Sequence, residues 1–256
     1  PNIGAVVYGD RKALTDPAYV KECLALLDER IALVFPGINL TDAEQLAFTD
    51  LLGERVNFVK SAPGGSAAEP DVYKITLDPE INDKPDYVLG TFFWHMDGVT
   101  TDLPPSKATL LSARTLSKKG GQTEFANLFA AYENLPEAEK AELEGLRVIH
   151  SVYSSVRPIL DFDIRPQDWN GPKYLKEHPL VWTHNDGRRS LLVGSHAESV
   201  VGMDLPEGRA LLARLLEWAA QPDFTYRHQW SEGDFVVWNN CGSLHRVIPY
   251  DKHSGR

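Results

Sequence analysis

Residues 224–248 read FTYRHQWSEGDFVVWNNCGSLHRVI, and the fold class turns on this stretch. Two runs rich in aromatic and β-branched side chains, 224–230 and 235–238, flank the turn-forming cluster Glu232-Gly233-Asp234, so the spacing predicts a hairpin. A further strand is expected at 244–248. Working back toward the N-terminus, short runs of the same kind recur at 4–8, 32–35, 72–77, 90–95, 108–116, 147–153, 180–184 and 190–193. Helical periodicity is confined to a few segments. Val20, Cys23, Leu24, Leu27 and Ile31 recur at threes and fours over 16–31. Thr41-Asp42-Ala43-Glu44 is a capping box, in which the threonine accepts from the backbone and the glutamate reaches back, and it opens a helix ending near Gly53. Two more helices are expected at 136–146 and 206–220, each opening on proline.

Two early helices followed by many short strands predict an α+β, mainly β chain. The expected architecture is an antiparallel barrel or jelly roll (a double-stranded β-helix) with helices packed on the outside. Regular strand–helix alternation is missing and no glycine-rich phosphate loop follows a strand, which argues against a parallel doubly wound sheet. A length of 256 residues suits one domain over 1–256. Its two long irregular stretches, near 59–90 and 154–179, are expected to be loops covering the site.

The net charge of −10 argues against nucleic acid or an anionic membrane as partner, and leaves a small-molecule substrate open. No apolar run approaches the roughly 18 residues of a membrane span. Cys23 and Cys241 are too few for a disulfide framework, and with no leader apparent the expectation is a reducing, cytoplasmic setting.

A redox-active metal needs protein ligands on one face and open positions on the other, and two histidines with one carboxylate meet that need. In a strand, residues i and i+2 share a face, so His-x-Asp presents an imidazole and a carboxylate to one ion. Three such pairs occur: His95-Met96-Asp97, His184-Asn185-Asp186 and His196-Ala197-Glu198. About one is expected by chance, so context must choose. Asn185-Asp186-Gly187 is a hairpin-turn signature, and nothing else supports His196 and Glu198. His95 and Asp97 follow the aromatic run Phe92-Phe93-Trp94, read as a strand leading to a barrel mouth.

Trp94-His95-Met96-Asp97, then Gly120-Gly121-Gln122-Thr123-Glu124-Phe125, then Gly233-Asp234-Phe235-Val236-Val237-Trp238-Asn239-Asn240 with His245 and Arg256, resemble the taurine/2,4-D dioxygenase family. Phe35-Pro36-Gly37 and Thr183-His184 join the likeness, which runs in order over nearly the whole chain. The resemblance implies a jelly-roll Fe(II)- and 2-oxoglutarate-dependent dioxygenase that uses O2 and releases succinate and CO2. It implies iron ligation by His95, Asp97 and His245, and 2-oxoglutarate binding by Thr123 and Arg256, with the planar guanidinium suited to the distal carboxylate. It also implies a homo-oligomer, dimer or tetramer.

Within the family, Ser195-His196-Ala197-Glu198, Pro206-Glu207-Gly208-Arg209, Tyr226-Arg227-His228-Gln229-Trp230 and Phe58-Val59-Lys60 are most similar to the aryloxyalkanoate (2,4-D) branch. There, hydroxylation beside an ether oxygen leads to cleavage of the ether. The taurine branch carries a histidine and an asparagine where this chain reads around Asn57-Phe58 and at Thr91. Lys60 is the candidate for a substrate carboxylate, with Arg157 second; Phe92 and Tyr153 are candidates for an apolar pocket. His150, His178, His228 and His253 are read as structural or exposed, and Cys241 as an inert buried thiol. Three alternatives stay open: a family member acting on taurine or another alkyl sulfonate or sulfate, a zinc hydrolase with the same ligands, and a cupin-like ligand sensor.

Overall fold

A computed structural model describes residues 3–57, 71–82, 85–160, 164, 167–171, 173–251 and 253–254. The chain opens with the short strand β1 (Ala5–Val6), helix α1 (Pro17–Arg30), strand β2 (Ala32–Phe35) and helix α2 (Asp42–Leu52). Asp16 caps α1 by accepting from the Ala18 backbone, with proline in the first turn. Both halves of the Thr41–Glu44 capping box are present at α2. Further along lie α3 (Pro85–Gly90), β3 (Ala108–Ser112), β4 (Thr123–Asn127), α4 (Leu128–Glu133) and α5 (Glu137–Leu143). Then come β5 (Arg147–Ser151), α6 (Val152–Val156), β6 (Leu175–Pro179), β7 (Val181–Thr183), β8 (Arg189–Leu191), β9 (Ala197–Val200) and α7 (Leu205–Ala219). Strands β10 (Thr225–His228), β11 (Phe235–Asn239) and β12 (Ser243–Val247) complete the order.

Two sheets matter for the site. One has strand order β1-β2-β11-β3 and the other β10-β4-β12; every pair is antiparallel except β1 with β2. Side-chain alternation sorts their faces. On the first sheet, Leu33, Phe35, Phe235 and Val237 pack with Val20, Cys23, Leu27 and Phe48 of α1 and α2. Its opposite face carries Val34, Val236 and Trp238, which share a core with Phe125 of β4 and with Trp230. The outer face of the second sheet gives Ala126 and Leu244 to a third core, which also holds Leu212 and Leu215 of α7. The two sheets therefore face one another, with helices on both outer sides. Sheet β6-β5-β9 and the hairpin β7-β8 complete the described strands.

Several expectations are corrected. The predicted hairpin at 224–238 does not form: β10 pairs with β4, while β11 pairs with β2 and β3 in the other sheet. The turn between them carries the chain from one sheet to the other. Gly233 there adopts φ +84 and its N–H donates to the Ala113 carbonyl at 3.0 Å, a left-handed conformation that favours glycine. Residues 72–77 are not a strand, and residues 90–95 close α3 and form turns instead of an aromatic strand. Residue 153 falls in helix α6 and not in a strand. Strands β4, β6 and β9 were not anticipated.

Candidate active site

The loss of the predicted strand at 90–95 does not scatter the candidate ligands, because the backbone pairs residue 95 directly with residue 245. The His95 N–H donates to the His245 carbonyl at 3.0 Å and the His245 N–H returns a bond to the His95 carbonyl at 2.9 Å. The two imidazole centroids lie 4.1 Å apart. Asp97 reaches both rings: its Oδ1 is 3.8 Å from His95 Nε2 and its Oδ2 is 3.6 Å from His245 Nε2. One ligand atom from each of the three residues falls within 4.8 Å of the others. Among the described residues this is the one group of three or more metal-ligating side chains so arranged.

The surroundings prepare these groups to hold a cation. His95 Nδ1 lies 2.8 Å from the Phe93 carbonyl. A carbonyl only accepts, so Nδ1 donates there, and Nε2 is the ring atom turned toward Asp97. Asp97 Oδ2 accepts from the Thr109 hydroxyl at 2.7 Å, and that hydroxyl in turn accepts from the Asn240 amide at 2.8 Å. Burial pushes the Asp97 carboxyl up, but the His245 and His95 imidazoles and the Thr109 hydroxyl outweigh it and hold the group below the usual carboxylate range. For His245, burial is the largest effect and the neighbouring His95 adds to it; Asp97 opposes them, and the ring is pushed down to about 3. A neutral imidazole beside an ionised carboxylate is the state in which both serve as ligands. Ligand atoms about 2.0–2.2 Å from one ion and at right angles to each other lie about 2.8–3.1 Å apart, so the three groups, which lie within 4.8 Å of one another, must draw together around a bound ion. Trp238 packs against His245 with ring centroids 4.8 Å apart and planes tilted by 51°, which fixes the ring from the side.

Thr123 enters the same inter-sheet space. β12 pairs with β4 so that Val247 faces Thr123 and His245 faces Phe125, which puts Thr123, Phe125 and His245 on one face. Thr123 is buried and its Oγ1 accepts from the Trp230 indole N–H at 2.9 Å. On the opposite face Glu124 takes one bond from Arg227 and one from Arg246.

The other described candidates make contacts of their own. Phe92 packs edge-on against Tyr250, ring centroids 5.6 Å apart. The Tyr153 hydroxyl donates to the Ile164 carbonyl and its ring lies 5.7 Å from that of Trp169. Arg157 sits in the short helical turn Arg157–Ile159. Lys60 and Arg256 lie outside the described residues. Asp186 occupies the β7–β8 turn, as expected, and pairs with Arg188. Cys241 is buried and its thiol is pushed up by that burial, in keeping with an inert role.

Sequence reading missed two supporting residues, and of the histidines read as structural or exposed two prove structural. Thr109 and Asn240 hold the Asp97 carboxylate, and no local motif marks them; Thr109 is found only through its register opposite Trp238. His178 donates from Nε2 toward the Val99 and Thr101 carbonyls, at 2.9 and 3.0 Å, and so fastens the loop that follows Asp97. His196 and His150, whose Nδ1 atoms are 2.8 Å apart, are both fully buried beside it.

The chain is similar to proteins of known activity. Over 242 residues it is 38% identical to an alpha-ketoglutarate-dependent 2,4-dichlorophenoxyacetate dioxygenase of Cupriavidus pinatubonensis, covering 91% of this chain and 84% of that one. It is 35% identical to an (S)-phenoxypropionate/alpha-ketoglutarate-dioxygenase of Sphingobium herbicidovorans, covering 97% of this chain and 87% of that one. Among solved structures, AAD-2 in complex with Mn(II) and N-oxalylglycine superposes with a TM-score of 0.78 at 34% identity, covering 98% of this chain and 89% of that one. The family described as taurine catabolism dioxygenase TauD, TfdA matches residues 1–256. A match of that extent, over a chain that brings His95, Asp97 and His245 to one point, makes this protein a member of the TauD/TfdA family.

Proposed function

We propose that the protein is an Fe(II)- and 2-oxoglutarate-dependent dioxygenase that hydroxylates a small anionic aryloxyalkanoate, releases succinate and CO2, and so opens an ether bond. The convergence of His95, Asp97 and His245 carries the reading. Two imidazoles and one carboxylate match a facial arrangement that leaves further positions open, the donor set of non-haem iron oxygenases. Zinc accepts the same donors, but a zinc hydrolase has no use for the 2-oxoglutarate named in the relatives' activities. The facing sheets with helices outside agree with a jelly roll, and residues 1–256 are read as one domain.

When bound, the iron and 2-oxoglutarate together supply the activation of O2. The residues of this chain do the rest. His95, Asp97 and His245 hold the metal, with Thr109 and the Phe93 carbonyl orienting two of them. Thr123 offers a hydroxyl to the distal carboxylate of 2-oxoglutarate, and Arg256 pairs with the same group through its guanidinium. Trp238 and Phe125 line the His245 side with apolar surface and keep water out. Lys60 is assigned to the substrate carboxylate, with Phe92 and Tyr153 toward its apolar part. The substrate class rests on the aryloxyalkanoate relatives and on the sequence features shared with that branch.

The test is succinate release with Fe(II), O2 and 2-oxoglutarate against a panel of aryloxyacetates, aryloxypropionates and alkyl sulfonates. Phenol and succinate formed together from an aryloxy acid is the expected result. Turnover confined to sulfonates would replace the substrate class. Hydrolysis without O2 consumption would replace the reaction.

A further inference from the structure

We infer that Trp230 is a positioning residue for the co-substrate, acting through Thr123; the inference rests on the reading of Thr123 as a 2-oxoglutarate contact. The indole nitrogen of tryptophan is a donor only, so in the 2.9 Å bond between Trp230 Nε1 and Thr123 Oγ1 the hydroxyl must accept. A threonine hydroxyl has one proton to donate. With the indole occupying its oxygen, that proton has no acceptor among the described residues. Both side chains are buried, at 6% and 2% exposure, so water does not substitute freely. A buried hydroxyl that accepts from one side and has an unspent donor on the other is prepared for an anionic acceptor. Accepting the indole bond also polarises the O–H and strengthens it as a donor.

The direction of that donor follows from the sheet. Thr123 and His245 lie on the same face of β4 and β12, on the diagonal between the pairs Val247–Thr123 and His245–Phe125. Diagonal neighbours of this kind are about 7–8 Å apart. That separation is comparable to a five-carbon dicarboxylate held at one end by the metal and at the other by the hydroxyl. Trp230 is itself fixed. Its ring stands edge-on to His228 at 4.6 Å, and His228 lies 3.2 Å from Asp234 Oδ2 and 3.1 Å from the Tyr226 hydroxyl. Asp234 is tied to the backbone N–H groups of Gly37 and Ser231. The inter-sheet turn thus holds the indole, and the indole sets the hydroxyl.

The experiment measures 2-oxoglutarate binding to the Mn(II)-loaded protein by titration calorimetry, without turnover, for wild type, Trp230→Phe, Thr123→Val and the double variant. The same titrations use 2-oxopentanoate, which has a methyl group where 2-oxoglutarate has its distal carboxylate. Trp230→Phe should weaken 2-oxoglutarate about fivefold to tenfold, the loss of one well-oriented hydrogen bond. It should leave 2-oxopentanoate unchanged. The double variant should bind no more weakly than Thr123→Val alone, because the two residues act in series. Equal weakening of both keto acids, multiplied losses in the double variant, or wild-type affinity in Trp230→Phe each overturns the inference. Wild-type affinity in Thr123→Val overturns instead the reading on which it rests. If Trp230→Phe does not fold, Trp230→His, which keeps a ring N–H, takes its place; it should retain the discrimination between the two keto acids, and its loss there counts against the inference.

Discussion

Replacing Thr109 by valine keeps the shape of the side chain and removes one oxygen. That oxygen donates to Asp97 Oδ2 at 2.7 Å and accepts from Asn240 Nδ2 at 2.8 Å. Because Asp97 is held below the usual carboxylate range, the bond it receives is charge-assisted at neutral pH, worth about 1.5–3 kcal/mol. Loss of an outer partner of a metal ligand lowers metal affinity by about tenfold to a hundredfold. Converted to free energy this is about 1.4–2.7 kcal/mol, so the two estimates agree. The substitution also strands the fully buried Asn240 amide, at a cost to folding of about 1–3 kcal/mol. The two effects separate experimentally, since the second is present without metal and the first is not. Mn(II) affinity is measured by competition with a chelator, and apo-protein stability by urea unfolding. Thr109→Val should show both losses, and Thr109→Ser, which keeps the hydroxyl, should recover most of the metal affinity. Wild-type metal affinity in Thr109→Val would refute the idea that Asp97 depends on its outer partner.

Further expectations concern the candidate ligands, the co-substrate and the outer face of the second sheet. Asp97→Ala removes the anionic ligand and should abolish succinate formation coupled to substrate; turnover at the wild-type rate removes the triad from the mechanism. Arg256→Ala should raise the apparent KM for 2-oxoglutarate and leave that for the aryloxy acid near its starting value, as read from initial rates; an unchanged requirement takes Arg256 out of its role. Burial pushes the Glu124 carboxyl up, but its bonds to Arg246 and Arg227 hold it below the usual range. A depressed folded value means stabilisation that is complete above the ordinary glutamate range and lost as pH falls through the folded value. The stability gap between wild type and Glu124→Gln should therefore be constant from about pH 6 to 8 and close on acidification below about pH 4.5. A gap that widened in acid would contradict the assignment.

What could be read from the sequence was local. The capping box at Thr41 and the strand at 32–35 appear as expected, because each is specified by residues within a few positions. Strand pairing is not specified that way. Residues 224–238 have the composition of a hairpin, yet each arm finds its partner far along the chain, β10 on β4 and β11 on β2 and β3. β4 escaped notice because Thr123-Glu124-Phe125-Ala126-Asn127 holds Glu and Asn, residues depleted in strands; its buried faces and the two arginines on Glu124 compensate. Residues 72–77 alternate as a strand should, but they belong to none of the described strands. The candidate ligands are legible for a different reason. Chemistry restricts a metal site to a few residue types, so even with the strand at 90–95 misread, His95-x-Asp97 and His245 remained the pattern to join. Thr109 and Asn240 belong to types that occur everywhere, and only coordinates distinguish them.

The origin of each residue divides the chemistry from its target. His245 and Thr123 lie on paired strands of one sheet, and Thr109 and Asn240 hold Asp97 from β3 and the end of β11 in the other. Their separations are set by strand register, which cannot shift by one residue without turning every side chain to the opposite face. The residues assigned to substrate come from elsewhere: Phe92 from the turn after α3, Tyr153 from α6, Lys60 from the long segment after α2. Those segments can change without disturbing the register that sets the proposed metal and co-substrate residues. Relatives 38% and 35% identical to this chain are named for different aryloxy acids, as expected if the sheets preserve the reaction and the connecting segments choose what undergoes it. Exchanging residues 85–92 and 152–157 for those of the (S)-phenoxypropionate dioxygenase should accordingly move substrate preference while Mn(II) and 2-oxoglutarate affinities stay within about twofold, a change smaller than one hydrogen bond. A swap that left preference unchanged, or that weakened co-substrate binding tenfold, would place specificity in the sheets.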